Sequence, residues 1–457
     1  MRKIIDAVDK HRELILKAER QIWSTPELGF KEWRSSEYME REFEALGYDI
    51  LRAGNIPGFY TVIDTGIEGP EVMVLCELDA VICHSHPDCD RETGAVHACG
   101  HNAQCAAVLG MAAALKEEGM LDGLSGRIRL AVVPAEESLD YEFRARLRDE
   151  GVIKYFGGKS EFLSRGLFDG VDLSFMVHLS GGVTDPTNTG GFVSLGGQSL
   201  GFIAKTVTYK GVAAHAGGAP WLGKNALYAA TAGLSAANAL RETFRDSDHV
   251  RWHPIMTSGG DIVNNIPEMA RLEGMLRAAS VEAMLRENKK INRALIGAAI
   301  SFGVGIEIND EPGYAPLFHD KALGEVMRDA YNLLAPETNL VRKACSTGCA
   351  VGGGSMDLGD LSAIMPTLHP YIMGSVGKGH GNDYYVVDPE CACVTNAKWQ
   401  LMTLRLLLEN GAERARKIVE DYRPSFATKE AFLAAQDKMR SSGDRVEYTE
   451  DGRIIIK

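Results

Sequence analysis

Three short apolar runs constrain this chain most, because each follows a turn and each stops on residues able to carry chemistry. "GPEVMVLCELDA" (residues 69–80) runs into Asp79, "GRIRLAVVPAEE" (126–137) into Glu136 and Glu137, and "GVDLSFMVHLS" (170–180) into His178. Runs of this length bounded by turn residues predict buried strands. Between the first two lies "AQCAAVLGMAAALKEEG" (103–119), rich in Ala and Leu and closed by Gly119, which predicts a helix. Strands alternating with helices predict an α/β fold, a parallel or mixed sheet covered by helices on both faces. Ligands in such folds gather at the carboxyl ends of the strands. Asp79, Glu136, Glu137 and His178 all stand there, and that coincidence is the first functional signal.

Residues 4–20 and 35–47 add amphipathic helices at the N-terminal side. Near residue 190 the character changes. "PTNTGGFVSLGGQSLG" is rich in turn residues, "FIAKTVTYKG" alternates like a half-exposed strand, and a helix follows over about 224–244. "EMARLEGMLRA" predicts another strand, then a helix near 281–299, then the strand "GVGIEIND". This block could form a small sheet with helices on one face. From about 314 the earlier style returns, with a helix near 320–334, a Gly-rich turn "GCAVGGGSMDLGD" and a long helix near 391–421. The simplest architecture is a large α/β domain, residues 1–196 and 314–457, with a smaller α+β domain, 197–313, inserted. The tail "VEYTEDGRIIIK" predicts a hairpin around Asp451-Gly452.

With 457 residues, two domains are the natural expectation. The formal net charge of -13 argues against nucleic acid or an anionic membrane as partner. The N-terminal stretch interleaves charged and apolar residues and lacks the apolar core of an export signal. No run approaches the length of a membrane span. Nine cysteines, an odd number without an export signal, fit reduced thiols and a cytoplasmic setting.

"VHACGHNAQC" (96–105) places two cysteines and two histidines in ten residues. Cys99 and His101, one residue apart before a helix, suit a borderline-soft divalent ion such as zinc. Against that, a buried Cys is commonly a small hydrophobe. Glu136 and Glu137 at the end of an apolar strand are expensive unless used. One can bind metal while its neighbour faces a reacting water, or both can be solvated loop residues. His178 alone would be an ordinary core histidine. "CHSHPDCD" (83–90) reads either as an accessory metal site or as a surface loop punctuated by Ser, Pro and Asp. "KGVAAHAGGAP" carries His215 in a Gly-rich loop, and "NNIPEMARLEGMLRA" carries Asn264 and Arg277, the latter a natural partner for a carboxylate.

In order, "HACGH", "PAEE", "MVHL", "GVAAHAGGAP", "NNIPEMARLEGMLR", "GSMDLGD" and "HGNDYYVVD" resemble the amidohydrolase branch of the aminoacylase/carboxypeptidase family of dinuclear metallopeptidases. That branch includes N-acyl amino acid amidohydrolases, hippurate hydrolases, plant auxin-conjugate hydrolases and aminobenzoyl-glutamate hydrolases. The resemblance covers roughly residues 20–420. It implies a metallopeptidase domain holding two divalent ions (Zn, Mn, Co or Ni) and an inserted domain that makes a homodimer. It implies Cys99, His101, Glu137, His178 and His380 as ligands, with His369 a competitor of poorer flanks for the last position. It implies Glu136 as general base and His215 as a histidine reaching the partner's site. It implies Asn264 and Arg277 as holders of the substrate carboxylate or the reacting carbonyl. The implied reaction is hydrolysis of the amide bond of an N-acyl or N-aroyl amino acid. The rivals are a dipeptidase or carboxypeptidase with the same machinery, and a metal-dependent binding protein without turnover. The family often follows Cys-Gly-His with Asp, Gly, His, whereas this chain has Asn102, Ala103, Gln104. It also carries a long excursion, residues 139–162, after the glutamates, expected to shape the substrate pocket.

Overall fold

The computed structural model describes residues 1–180, 193–195, 197–338 and 352–457. The chain divides into two compact units. The first comprises Met1–Gly197, Phe318–Ala350 and Asp360–Lys429, the second Gln198–Leu317, Val351–Gly359 and Glu430–Lys457.

The first unit is built on a six-stranded mixed sheet. Its strands are β1 (Leu51–Arg52), β2 (Phe59–Asp64), β3 (Glu71–Glu77), β4 (Arg127–Val133), β5 (Leu173–Phe175) and, last in the chain, β10 (Thr367–Leu368), in spatial order β1-β2-β4-β3-β5-β10. The pairs β4/β3, β3/β5 and β5/β10 are parallel. β1 and β2 run antiparallel at one edge. Every residue of β3 is buried, as expected of a strand covered on both faces. The helix His101–Leu115 is likewise buried along its whole length. It is apolar all round rather than on one stripe, the pattern of an interior helix.

The second unit holds a four-stranded antiparallel sheet of β6 (Gly201–Lys210), β7 (Arg251–Ser258), β8 (Met269–Ala278) and β9 (Gly305–Pro312), in the order β7-β8-β6-β9. The helices Ala226–Ala239 and Val281–Phe302 pack on each other and on this sheet around Tyr209, Trp252, Leu272 and Leu295. The sequence reading misses β7. Pro254 lies inside it, and proline is tolerated there because β7 is an edge strand whose missing N–H costs no ladder bond. The tail forms the expected hairpin, Val446–Tyr448 against Ile454–Ile456. That segment groups with the second unit, because Val446 enters its core and Ser441 exchanges backbone hydrogen bonds with Asp310 of β9.

Of the predicted Gly-rich turns, "PTNTGGFVSLGGQSLG" and "GCAVGGGSMDLGD" lie partly outside the described residues. The long helix near 391–421 is interrupted: a π-type turn, Glu390–Thr395, leads into Asn396–Leu408, and Gly411 at φ 71 separates it from Glu413–Asp421. No helix among the described residues is long and apolar enough to cross a membrane.

Candidate metal centre

β4, β3 and β5 lie side by side and parallel, so their carboxyl ends open at one place. Glu77 and Asp79 arrive from β3, Glu136 and Glu137 from β4, and His178 from beyond β5. Two backbone features aim these groups. Ala135 takes φ 58, a left-handed conformation an alanine adopts only under constraint, and it turns the chain directly before the glutamates. Gly100 takes φ 93 as the N-cap of the helix that begins at His101. A Cβ there would lie 2.5 Å from the Tyr384 hydroxyl and 2.7 Å from Leu179 Cδ1, so close approach demands glycine as much as the dihedral does.

Three groups of donor atoms converge, each within 4.8 Å: Cys99, His101 and His178; Cys99, Glu137 and His380; and Glu77, His101 and Glu136. The glutamate pair therefore diverges, Glu137 toward Cys99 and His380, Glu136 toward His101. Cys99 Sγ is 3.3 Å from His178 Nε2, and His380 Nε2 is 3.0 Å from Glu137 Oε1. His380 itself sits at φ 64, its N–H donating to Ala98 O at 2.7 Å, which fixes this loop beside the Cys-Gly-His turn.

Hydrogen bonds to carbonyl oxygens set the ring orientations. Nδ1 of His178 donates to Leu179 O at 2.7 Å, and Nδ1 of His101 to Asp79 O at 2.8 Å. A carbonyl can only accept, so each Nδ1 bears a proton and each Nε2 is turned to the cluster. His101 Nε2 is fully buried and lies 3.1 Å from Glu77 Oε2, yet it makes no hydrogen bond among the described residues. Burial would lower the His101 pKa, but Cys99, Glu77 and Asp79 outweigh it and raise it well above the ordinary value. The surroundings call for positive charge at this nitrogen, which a proton or a divalent ion satisfies. Burial and His101 push His178 down to about 4, so it is a neutral imidazole. An orphaned ring nitrogen, a neutral imidazole, a thiol and carboxylates form a donor set that fits a divalent ion of borderline softness.

Behind these atoms lies a layer the sequence reading underweights. Burial pushes the Glu77 pKa up, but Lys159, His101 and His178 outweigh that and lower it. Asp79 Oδ2 accepts the Glu137 backbone N–H at 2.7 Å. Buried Arg144 donates to the carbonyls of Glu137 and Phe156. Arg144 and Lys159 both belong to the 139–162 excursion, which thus sends cations beneath the acidic cluster. Glu77 is detectable in the sequence as the acid two residues before Asp79. Nothing in the sequence shows that Lys159 meets it.

The departures after Cys-Gly-His find their reason here. Gln104 Nε2 donates to Glu77 Oε2 at 3.1 Å while its Oε1 accepts the Glu77 N–H at 3.2 Å. Asn102 Nδ2 donates to Glu19 Oε1 at 2.9 Å, both residues fully buried. An acid at position 102 would set carboxylate against carboxylate. Asn102→Asp is therefore expected to destabilise the fold by about 3 kcal/mol. Adding Glu19→Gln restores a donor–acceptor pair and most of that loss. Denaturant unfolding of the three variants checks this, and an unchanged midpoint for Asn102→Asp would contradict it.

The remaining candidates lie in the second unit. His215 is exposed, and its Nδ1 accepts the N–H groups of Gly217 (3.2 Å) and Gly218 (2.9 Å). The proton then resides on Nε2, which makes that atom a donor. Asn264 O accepts the Ala216 N–H, so His215 and Asn264 share one loop cluster. Arg277 stands apart, near the far end of β8, where it contacts His253 Nε2 at 3.2 Å and Ser355 Oγ at 3.0 Å.

His369 is buried beside His178, with ring centroids 5.4 Å apart, and belongs to none of the three donor groups. His97 is buried, and among the described residues neither ring nitrogen finds a hydrogen-bond partner. Cys105 donates to Glu77 O at 3.0 Å. The 83–90 loop supplies no donor group among the described residues. Its His86 is fully buried, with Nε2 on Tyr384 O at 3.0 Å and Nδ1 accepting from Asp88 N, so both nitrogens are committed to holding the loop in place.

The sequence model of peptidase family M20/M25/M40 matches residues 75–397. The chain is 27% identical to the Xaa-Arg dipeptidase of Mus musculus over 84% of its own length and 82% of the dipeptidase. It is 27% identical to one of the subunits of the p-aminobenzoyl-glutamate hydrolase of Escherichia coli, over 74% of its own length and 66% of that protein. A dinuclear metal binding peptidase of the M20 family from Bacillus subtilis superposes with a TM-score of 0.65 at 19% identity, covering 88% of this chain and 99% of that one.

Proposed function

Since the chain belongs to peptidase family M20/M25/M40, we propose that it is a metal-dependent amidohydrolase that cleaves the amide bond of N-acyl or N-aroyl amino acids, releasing a carboxylic acid and an amino acid. One observation carries this reading: thiol, imidazole and carboxylate donors converge at the carboxyl ends of three adjacent parallel strands. In it, Cys99, His101, Glu137, His178 and His380 hold two divalent ions, drawn from zinc, manganese, cobalt and nickel. Such ions act as Lewis acids toward the scissile carbonyl and make water a competent nucleophile near neutral pH.

The chain's own residues do the rest. Glu136 takes the proton of the attacking water and returns it to the leaving nitrogen, which is general acid–base work. Its neighbour Glu137, held through its backbone N–H by Asp79, is directed away from that task. His215 offers its Nε2–H to the developing oxyanion from the partner subunit of a homodimer. Asn264 and Arg277 hold the substrate carboxylate or the reacting carbonyl. The setting in this reading is the cytoplasm, where the nine cysteines stay reduced. Similarity to the Xaa-Arg dipeptidase favours a second reading, a dipeptidase using the same centre on a peptide-like amide. A binding protein without turnover is disfavoured by Glu136, which such a protein does not need.

The test joins metal content to turnover. Protein purified without chelator is expected to hold about two divalent ions per chain. After reconstitution with each of the four metals, it is expected to release amino acid from a panel of N-acyl amino acids or dipeptides. Cys99→Ser is expected to bind less metal. Full metal content and full activity in Cys99→Ser would rule out its ligand role, and no turnover on any substrate would favour the binding protein.

A further inference from the structure

We propose that Lys159 is a positioning residue for this centre, acting on His101 through the buried carboxylate of Glu77. The inference rests on the reading of His101 as a metal ligand. Lys159 Nζ lies 2.5 Å from Glu77 Oε1, and both side chains are essentially inaccessible to solvent. The other oxygen, Oε2, accepts from Gln104 and faces His101 Nε2 at 3.1 Å. On the opposite side of the ring Nδ1 donates to the Asp79 main-chain carbonyl and lies 3.3 Å from the Asp79 carboxylate, so His101 stands between two acidic residues, and Lys159 anchors one of them.

The anchor is short and stiff. Lys159 is the second residue of the helix Gly158–Ser164, whose Gly158 N–H donates to Ala135 O at 3.1 Å. A Cβ on Gly158 would lie 1.6 Å from Pro134 O, so this helix rests directly on the turn that presents Glu136. The excursion following the glutamates therefore folds back beneath them and places a cation under the neighbouring strand end. Glu77, His101 and Glu136 have donor atoms within 4.8 Å of one another. A Glu77 released from Lys159 could turn its second oxygen into that group and displace His101 from its orientation. A lysine at this depth is expensive unless paired, and the pairing leaves Glu77 a single orientation.

The experiment compares wild type, Lys159→Met and the double variant Lys159→Met/Glu77→Gln. Metal affinity is read by competition with a chromophoric chelator, coordination from the cobalt absorption spectrum, and fold stability from the thermal midpoint of the metal-free protein. Lys159→Met is expected to bind metal about 10- to 100-fold more weakly and to shift the cobalt spectrum. The double variant, which removes both charges of this pair together, is expected to regain thermal stability without regaining affinity. It carries the test if Lys159→Met alone fails to fold. Affinity within twofold of wild type and an unchanged spectrum in Lys159→Met would overturn the inference. So would recovery of stability and affinity together in the double variant, which would make the pair only a structural fill. A wild-type protein that binds no metal would overturn the proposed function itself, and this inference with it.

Discussion

Glu136→Gln is expected to give a folded, metal-loaded protein whose turnover is about 10²- to 10⁴-fold below wild type. The amide preserves the size of the side chain but cannot take a proton from water. The divergence of the pair makes the effect separable: Glu136 groups with His101 and Glu77, whereas Glu137 groups with Cys99 and His380. Glu137→Gln is accordingly expected to lower metal content first and activity as a consequence. Parallel measurement of bound metal and kcat in the two variants checks both roles. The reverse pattern, metal loss in Glu136→Gln and a loaded but inactive Glu137→Gln, would exchange the assignments. The substitution at 136 is mild for the fold, because Ala135 and Glu137 fix the turn through backbone hydrogen bonds to Glu32, Gly158 and Asp79 that do not involve the 136 side chain.

The parts of this arrangement that the sequence discloses are those with a local signature. Strand ends are readable because apolar runs stop abruptly at Asp79, Glu136 and His178, and a parallel sheet collects such ends on one side. Cys99 and His101 are readable as a pair because one residue separates them. His380, more than 200 positions beyond His178, emerges only from the order of motifs, since no periodicity ties it to the rest. The layer behind the donors is not readable at all. Lys159 is a charged residue in a polar excursion, and its composition suggests a solvated segment. It is buried because the helix that carries it docks on Pro134, a contact without sequence period. Asn102 looks like a lost acid until Glu19, 83 positions earlier, is found against it. The edge strand β7 escapes for a local reason: Pro254 stands inside it, and the adjacent Ile255 and Met256 break the alternation.

His215→Ala is expected to lower kcat/KM by about 10²- to 10³-fold, as loss of an oxyanion donor does, and the lesion is expected to act in the partner's site. The geometry of the second unit argues for that. β8 pairs Met269 with Lys210 at one end and Arg277 with Phe202 at the other. The His215–Asn264 loops join at the Met269 end, where Ile266 N donates to Ala214 O. Eight residues of extended chain from 269 to 277 span about 26 Å. One copy of this unit therefore cannot bring His215 and Arg277 to the same reacting carbonyl. If both serve one substrate, they come from two chains, and an isologous dimer supplies each site with both. The edge of β7, unpaired among the described residues, and the exposed Trp221, Leu222, Ile255 and Val263 give this unit surface that association would cover. Subunit mixing decides the point. Homodimers of His215→Ala and of Glu136→Gln are each expected to be nearly inactive. A mixed dimer carries both lesions at one site and neither at the other, so verified mixed dimers are expected to recover up to half of wild-type activity. If His215 instead served its own chain, each site of the mixed dimer would retain one lesion and no activity would return.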